Sequence, residues 1–168
     1  LTISQIAKTA GVGKGTIYEY FENKEDIVFE IIRTFITVHE KKLLELVAAQ
    51  ATTKEKLFHF FCLLFEDEFA RKQLKVYKEF LAISLTSEPE EMLVFSEQCQ
   101  DKFSMILNQI LEAGRTSGEI AKHMQIPASS LMLFWTGLVV DSRLGDCDIE
   151  KEIHMFLDML LPSNVKEV

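Results

Sequence analysis

Residues 1–27 read LTISQIAKTAGVGKGTIYEYFENKEDI and have the spacing of two short helices joined by a tight turn. In the first segment the apolar residues share one helical face, at Ile3, Ile6, Ala7 and Ala10. Thr2 and Gln5 have the spacing of a capping box, and Gly11 stands where a helix ends in a left-handed residue. Because a new helix begins within three residues of Gly11, we expect the two helices to cross steeply as a helix-turn-helix.

The second helix of such a motif is the one that enters a DNA groove, and here it carries groups suited to DNA. Glycines at its start let backbone N–H groups approach a phosphate, which the helix dipole also favours. Hydroxyl and ammonium groups are suited to contact the phosphate backbone, and we expect Lys14, Thr16 and Glu19 to contact base edges. An ordinary helical hairpin would explain each residue singly, but the combined spacing favours DNA binding. These residues predict contacts from Gly13, Lys14, Gly15, Thr16, Tyr18, Glu19 and Lys24.

The net charge of −8 lies in the body of the chain and not in the motif. Residues 1–24 hold three lysines and two glutamates, a balance of +1. The remaining 18 − 3 = 15 basic and 26 − 2 = 24 acidic residues give a balance of −9. Non-specific affinity for DNA should therefore be low, which leaves discrimination to the docked helix and to dimerisation.

The rest of the chain predicts further helices and an all-α fold. Thirteen phenylalanines stand against three prolines and seven glycines, and alternating runs of strand length are almost lacking. Asn23 can cap a helix reaching about residue 49, and the segment 57–65 is apolar on every side. More helices are predicted over 72–84, from a Ser87 capping box to Gly114 and Gly118, after Pro127, and over 148–161. Two domains follow: a DNA-binding domain with its linking helix over 1–45, and a ligand-binding and dimerisation domain over 46–168.

Residues 2–27 resemble the DNA-binding signature of TetR/AcrR-type bacterial regulators through the pattern TxxxIAxxAGVGxGTIYxYFxNKExI. The resemblance covers about a sixth of the chain and implies DNA contacts, mostly to phosphates, at Thr2, Lys14, Thr16, Tyr18, Tyr20 and Lys24. Gly13 stands where the family usually has a capping serine, so backbone or water must cap the second helix. The family also has a helix before Thr2, which we expect ahead of the first residue here.

The resemblance further implies a repressor that binds a palindromic operator as a homodimer and is released by a small molecule held among the central helices. The many aromatic residues of the body favour an apolar or aromatic effector, with His59, Glu66 or Tyr77 as polar handles. Rings that simply fill the core are the other interpretation. The predicted pocket consists of Phe58, His59, Phe61, Cys62, Phe65, Tyr77, Phe80, Phe95, Phe103 and Trp135.

The last two predicted helices have apolar stripes wider than one core contact requires, which indicates a partner surface. Two such helices from each of two identical subunits would form a four-helix bundle. A larger monomer core is the alternative. The predicted interface consists of Leu131, Phe134, Trp135, Leu138, Ile153, Phe156, Leu157 and Leu160.

Other classes of protein find little support in the sequence. The histidines lack the spacing of a zinc site, and neither a G-x-S-x-G motif nor a glycine-rich phosphate loop is present, so we expect no enzyme, metal or cofactor. Three cysteines without a C-x-x-C pair suit a reducing cytoplasm, and no apolar run approaches the ~18–20 residues that span a bilayer. We therefore expect a cytoplasmic bacterial regulator that binds a double-stranded operator. A regulator controlled by a protein partner is the alternative, and the choice of repressor over activator rests on the resemblance.

Overall fold

The computed structural model describes residues 2–65, 68–86, 90–142 and 148–162, with the side chains of 68–70 and 90–93 left out. Within these ranges every regular element is an α-helix, so the predicted all-α fold is confirmed. The helices are α1 (Ile3–Ala10), α2 (Lys14–Tyr20), α3 (Lys24–Ala48), α4 (Thr53–Cys62), α5 (Glu68–Thr86), α6 (Glu90–Ser117), α7 (Ala128–Asp141) and α8 (Ile149–Leu160).

The helix boundaries near the N-terminus follow from local capping. Thr2 accepts a hydrogen bond from the backbone N–H of Gln5 and closes a capping box at the start of α1. Gly11 ends α1 at φ +69°, a conformation that costs glycine little, and its N–H donates to the last turn. Asn23 and Asp26 form the same reciprocal cap for α3. The predicted ends of α1 and α3 are thereby confirmed to within a residue.

α3 belongs to two hydrophobic cores at once. Ile27 packs with Ala7 and Ile17 in a small core between α1, α2 and the start of α3, which we call the head. The next residue, Val28, belongs to the large core of α3–α8, which we call the body. Further along, α3 buries Ile32, Phe35, Ile36 and Leu43 in that body core. One uninterrupted helix of ~38 Å therefore joins the head to the body.

The body helices pack as a bundle, in which α3 lies against α4, α5 and α6, and α4 lies between α6 and α8. Some predicted boundaries were wrong. α4 ends at Cys62, because residues 63–65 form a turn, and α5 extends beyond the predicted 72–84 at both ends. The capping box predicted at Ser87 lies outside the described residues.

Gly114 does not end α6, as the sequence predicted, but lies buried inside it. Helix α6 continues to Ser117, and Gly118 ends it at φ +82°. The missing side chain of Gly114 makes room for α4, whose first residue Thr53 is 3% exposed and packs there. The backbone N–H of Thr53 donates to Glu119 Oε2 at 2.6 Å, which holds the start of α4 against this turn.

Gly114→Ala should destabilise the fold by about 1–3 kcal/mol, because the new Cβ would collide with the stiff β-branched side chain of Thr53. Denaturant unfolding measures this free energy. The matched background is Thr53→Ala, which removes both Thr53 atoms near the new Cβ and leaves Ile120 Cδ1 at 3.0 Å, so Gly114→Ala should cost less there. An equal cost in both backgrounds would contradict the packing described.

Candidate nucleic-acid interface and ligand cleft

The face of α2 turned away from the head core is open to solvent. Ile17 is the buried residue of α2, whereas Tyr18 is 57% exposed and Tyr20 77% exposed. Large exposed aromatic residues with hydroxyl tips are suited to contact a partner that is polar at its surface. The remaining predicted contacts on this side are also exposed, namely Thr2, Gly13, Lys14, Gly15, Thr16 and Glu19.

The first turn of α2 begins without a side-chain cap. Gly13 occupies the N-cap position in an extended conformation and has no side chain to accept from the turn. The backbone N–H groups there point out of the helix end beside the exposed side chains of Lys14 and Thr16. The arrangement can accept an anion such as a phosphate oxygen.

Lys24 differs from the other predicted contacts, because it is held by the body. Its Nζ lies 2.5 Å from Glu79 Oε1 on α5, and each side chain is only 29% exposed. The hydrogen bond to Lys24 lowers the pKa of the Glu79 carboxyl, and the same bond raises the pKa of Lys24. Sequence reasoning missed Glu79, since 55 residues separate the partners and no local pattern marks them.

A cleft of about 510 Å³ opens between α5, α6 and α7. This volume falls in the usual range for a small-molecule site. All of the described residues that line it are uncharged, and burial raises the pKa of the Cys99 thiol to about 11, which keeps it neutral. The lining consists of Tyr77, Phe80, Leu81, Ser84, Leu85, Ser96, Cys99, Gln100, Phe103, Ser104, Ser129, Met132, Leu133, Thr136 and Val140.

Only Tyr77, Phe80 and Phe103 of the predicted pocket residues line this cleft. Trp135 is completely buried behind it, with its ring centre 5.2 Å from that of Tyr77. Phe95 packs beside Phe80 but faces a separate shallow depression near the side chain of Arg33.

The predicted pocket residues on and after α4 point elsewhere. Phe58 stacks on His154 of α8 with 4.3 Å between the ring centres, and His59 is exposed to solvent. Neither Phe58 nor His59 therefore lines the cleft. Phe61 packs against Phe134 and Phe156, whereas its neighbour Phe60 faces Phe103 and Trp135. Cys62 is buried in the core and Phe65 packs against it, while Glu66 lies outside the described residues. These predicted pocket residues therefore lie on other helical faces than the one that lines the cleft.

Small polar residues gave a sequence signal for the cleft that the prediction did not use. Ser96, Gln100 and Ser104 recur every four residues on α6, and Ser129 and Thr136 are two turns apart on α7. Such stripes beside aromatic residues mark helix faces that are neither fully buried nor charged.

The predicted dimer interface also requires correction. Leu131, Trp135, Leu138, Ile153 and Leu157 are buried inside the chain's own core and cannot reach a partner. Their stripes are wide because α7 and α8 each pack against other helices of the body. Phe134, Phe156 and Leu160 are half-buried at the edge of that core. The apolar side chains of α8 that do face solvent are Met155 at 56% and Met159 at 73% exposure.

The described ranges contain neither a metal-binding cluster nor a membrane-spanning helix. No group of three His, Cys, Asp or Glu side chains lies close enough there to hold a metal ion. None of the helices in the same ranges is both long and apolar enough to cross a bilayer.

An exposed recognition helix behind a glycine turn, carried on a helical body by one continuous helix, defines a helix-turn-helix DNA-binding regulator. The model of bacterial regulatory proteins of the tetR family matches residues 1–31. The fatty acid metabolism regulator protein of Bacillus subtilis is 34% identical over 140 residues, which cover 80% of this chain and 68% of that protein. The chain belongs to the TetR family.

Further relatives agree on the family and on the fold. The transcriptional repressor KstR2 of Mycobacterium tuberculosis is 29% identical over 116 residues, covering 67% of this chain and 58% of the repressor. The regulator FadR from Bacillus subtilis, solved in complex with stearoyl-CoA, has a TM-score of 0.66 at 24% identity. FadR from Bacillus halodurans has a TM-score of 0.69 at 21% identity, and both solved structures cover 96% of this chain and are covered to 88%.

If the Tyr18 hydroxyl contacts DNA as predicted, Tyr18→Phe should weaken operator binding about two- to tenfold, because it removes one hydrogen bond. The thermal midpoint should stay unchanged, since the ring is more than half exposed and the rest of the side chain is kept. Fluorescence anisotropy on a labelled duplex measures affinity, and circular dichroism measures the midpoint. Unaltered affinity would show that the Tyr18 hydroxyl makes no contact with DNA.

Proposed function

We propose that this TetR-family regulator is a repressor that binds a palindromic operator as a homodimer and is released by a ligand with a long apolar chain. The observation that carries the proposal is α3, which shares one core with the recognition helix and the other with the cleft helices. A ligand that shifts the body therefore shifts the head. The proposed DNA-binding domain with its linking helix runs to about residue 45, although α3 leaves the head core after Ile27 and packs in the body core from Val28.

The DNA contacts are proposed on one side of the head. Lys14, Thr16 and Glu19 face base edges, while Thr2, Tyr18, Tyr20 and Lys24 contact the phosphate backbone. Gly13 and Gly15 allow the backbone of α2 to approach the duplex closely. Exposure of the α2 face and its freedom from packing within the chain support these roles.

Dimerisation is proposed through α7 and α8. Met155 and Met159 leave apolar surface on α8 next to the half-buried rings of Phe134 and Phe156. These two rings stack at 3.7 Å and form a flat, rigid border to that surface. Paired helices from two copies would cover it in a four-helix bundle and set two heads at a fixed separation.

The proposed effector is a long-chain acyl thioester whose chain enters the cleft between α5, α6 and α7. The lining is apolar with scattered hydroxyl groups and no charge among its described members, which suits an acyl chain and excludes phosphates. The charged part of such a ligand must therefore stay outside. The fatty acid regulator of Bacillus subtilis and the solved complex with stearoyl-CoA make this chemistry the first to test.

Selection of binding sequences from random duplexes should return an inverted repeat with half-sites one helical turn (~34–36 Å), or a multiple, apart. Met159→Glu should yield monomers in sedimentation and lose most operator affinity, because it places a charge in the proposed interface. Met105→Glu on α6 is the matched control, since Met105 is also exposed, at 52%, but lies on another helix. A dimeric, fully binding Met159→Glu protein would overturn the interface, and a single unrepeated site would overturn the palindrome.

Stearoyl-CoA should lower operator affinity about 5- to 150-fold, the usual range of such coupling. Free coenzyme A should have no effect, because it lacks the chain that the cleft holds. Thr136→Trp should fill the cleft, keep operator binding and lose the response, whereas Thr116→Trp at an exposed site of α6 should keep both. Anisotropy titrations with each ligand measure this. A wild-type protein indifferent to stearoyl-CoA would instead favour control by a protein partner.

A further inference from the structure

We propose that Glu79 competes with the operator phosphate for Lys24 and so acts as a built-in restraint on DNA binding. The proposal rests on the proposed contact of Lys24 with DNA. It adds Glu79, a residue of the body that is 55 positions from Lys24 in the sequence, to the residues that determine operator affinity. The evidence is the geometry of the pair, the electrostatics of the start of α3, and the position of Glu79 on α5.

The geometry of the pair already gives Lys24 one anionic partner. Nζ lies 2.5 Å from Glu79 Oε1, and both side chains are more than two-thirds shielded from solvent. A phosphate oxygen that reaches the same ammonium must displace this carboxylate or lie close to it. The ammonium has three N–H donors and could serve both groups, but two anions held close together repel each other, so the carboxylate weakens the phosphate contact whether it stays or is displaced.

The start of α3 favours an anion near Lys24. Lys24 is the first residue of α3, where the positive end of the helix dipole disfavours a cation. The charge of Glu25, the next residue, also raises the pKa of Lys24, but the hydrogen bond of the ammonium goes to Glu79. On the other side, Lys75 lies one turn before Glu79 on α5 and also favours the Glu79 carboxylate. The carboxylate of Glu79 therefore remains charged when Lys24 leaves it.

Glu79 sits on the helix that borders the cleft. The next residue, Phe80, lines the cleft and makes an edge contact with Phe29 of α3 at 6.4 Å between ring centres. A movement of α5 against α3 thus changes the Phe29–Phe80 contact and the Lys24–Glu79 pair together. The competitor for the DNA contact is placed where occupation of the cleft can strengthen or relieve it.

The test is a double-mutant cycle on operator affinity in the full chain, with the wild type, Glu79→Gln, Lys24→Ala and the double variant. Glu79→Gln should bind the operator about two- to fivefold more tightly, which corresponds to the strength of a partly exposed ion pair. Lys24→Ala should bind all sequences more weakly and lower the log–log salt slope by about one. In the Lys24→Ala background, Glu79→Gln should have no effect.

The matched control is Glu40→Gln. It removes one negative charge and an ion pair between α3 and α6, where Lys102 lies 3.3 Å away, but Glu40 is ~24 Å along α3 from Lys24. Glu40→Gln should leave operator affinity within about 1.5-fold of the wild type. Thermal midpoints verify that every variant is folded, and each ion pair should contribute only a small shift.

The failures of the two proposals can be told apart. A wild-type protein that binds no selected duplex, or a Lys24→Ala variant that binds normally, would refute the proposed DNA contact and with it the competition. If Lys24→Ala weakens binding but Glu79→Gln matches Glu40→Gln, only the competition is overturned. Weaker binding by Glu79→Gln would also overturn it, because Glu79 would then position Lys24 for the phosphate. The competition would also be overturned if Glu79→Gln tightened binding equally in the wild type and in the Lys24→Ala background.

Discussion

The packing of α3 into two cores is the constraint on which the rest of the structure depends. Ile27 and Val28 are neighbours in sequence, yet the first is buried in the head and the second in the body. A helix cannot rotate one of these residues without moving the other, because its backbone hydrogen bonds fix their relative direction. Any state of the body is therefore also a state of the recognition helix.

The charge distribution gives individual contacts between the head and the body a large influence on DNA binding. The chain carries a net charge of −8, and most of its acidic residues lie in the body, so electrostatic attraction to DNA is weak overall. The few lysines of the head then matter individually. Lys24 is one of these, and the structure ties it to Glu79 on α5. The acidic body thus contacts a lysine of the proposed DNA interface directly, in addition to its average electrostatic field.

The aromatic residues of the body serve different purposes that depend on which helical face they occupy. Phe60, Phe103 and Trp135 pack together behind the cleft, while Phe61, Phe134 and Phe156 join α4, α7 and α8 on the other side. The first group gives the cleft a rigid wall, and the second leads toward the exposed methionines of α8. The proposed ligand cleft and the proposed dimer surface therefore use different faces of the short helix α7.

The sequence by itself determined the local structure: the capping box at Thr2, the left-handed Gly11, the start of α3 at Asn23 and the exposed face of α2 all follow from residues a few positions apart. Hydrogen bonds within a turn and the periodicity of a helix depend on such short separations. The tertiary structure alone decided that Phe60 and not Phe61 faces the central rings, that Gly114 lies inside a helix, and that Lys24 pairs with Glu79. These outcomes depend on the rotation of each helix about its axis and on partners dozens of residues away. The second half of α4 carries apolar residues on several faces, so its own sequence selects that rotation only weakly, and packing against the other helices decides it.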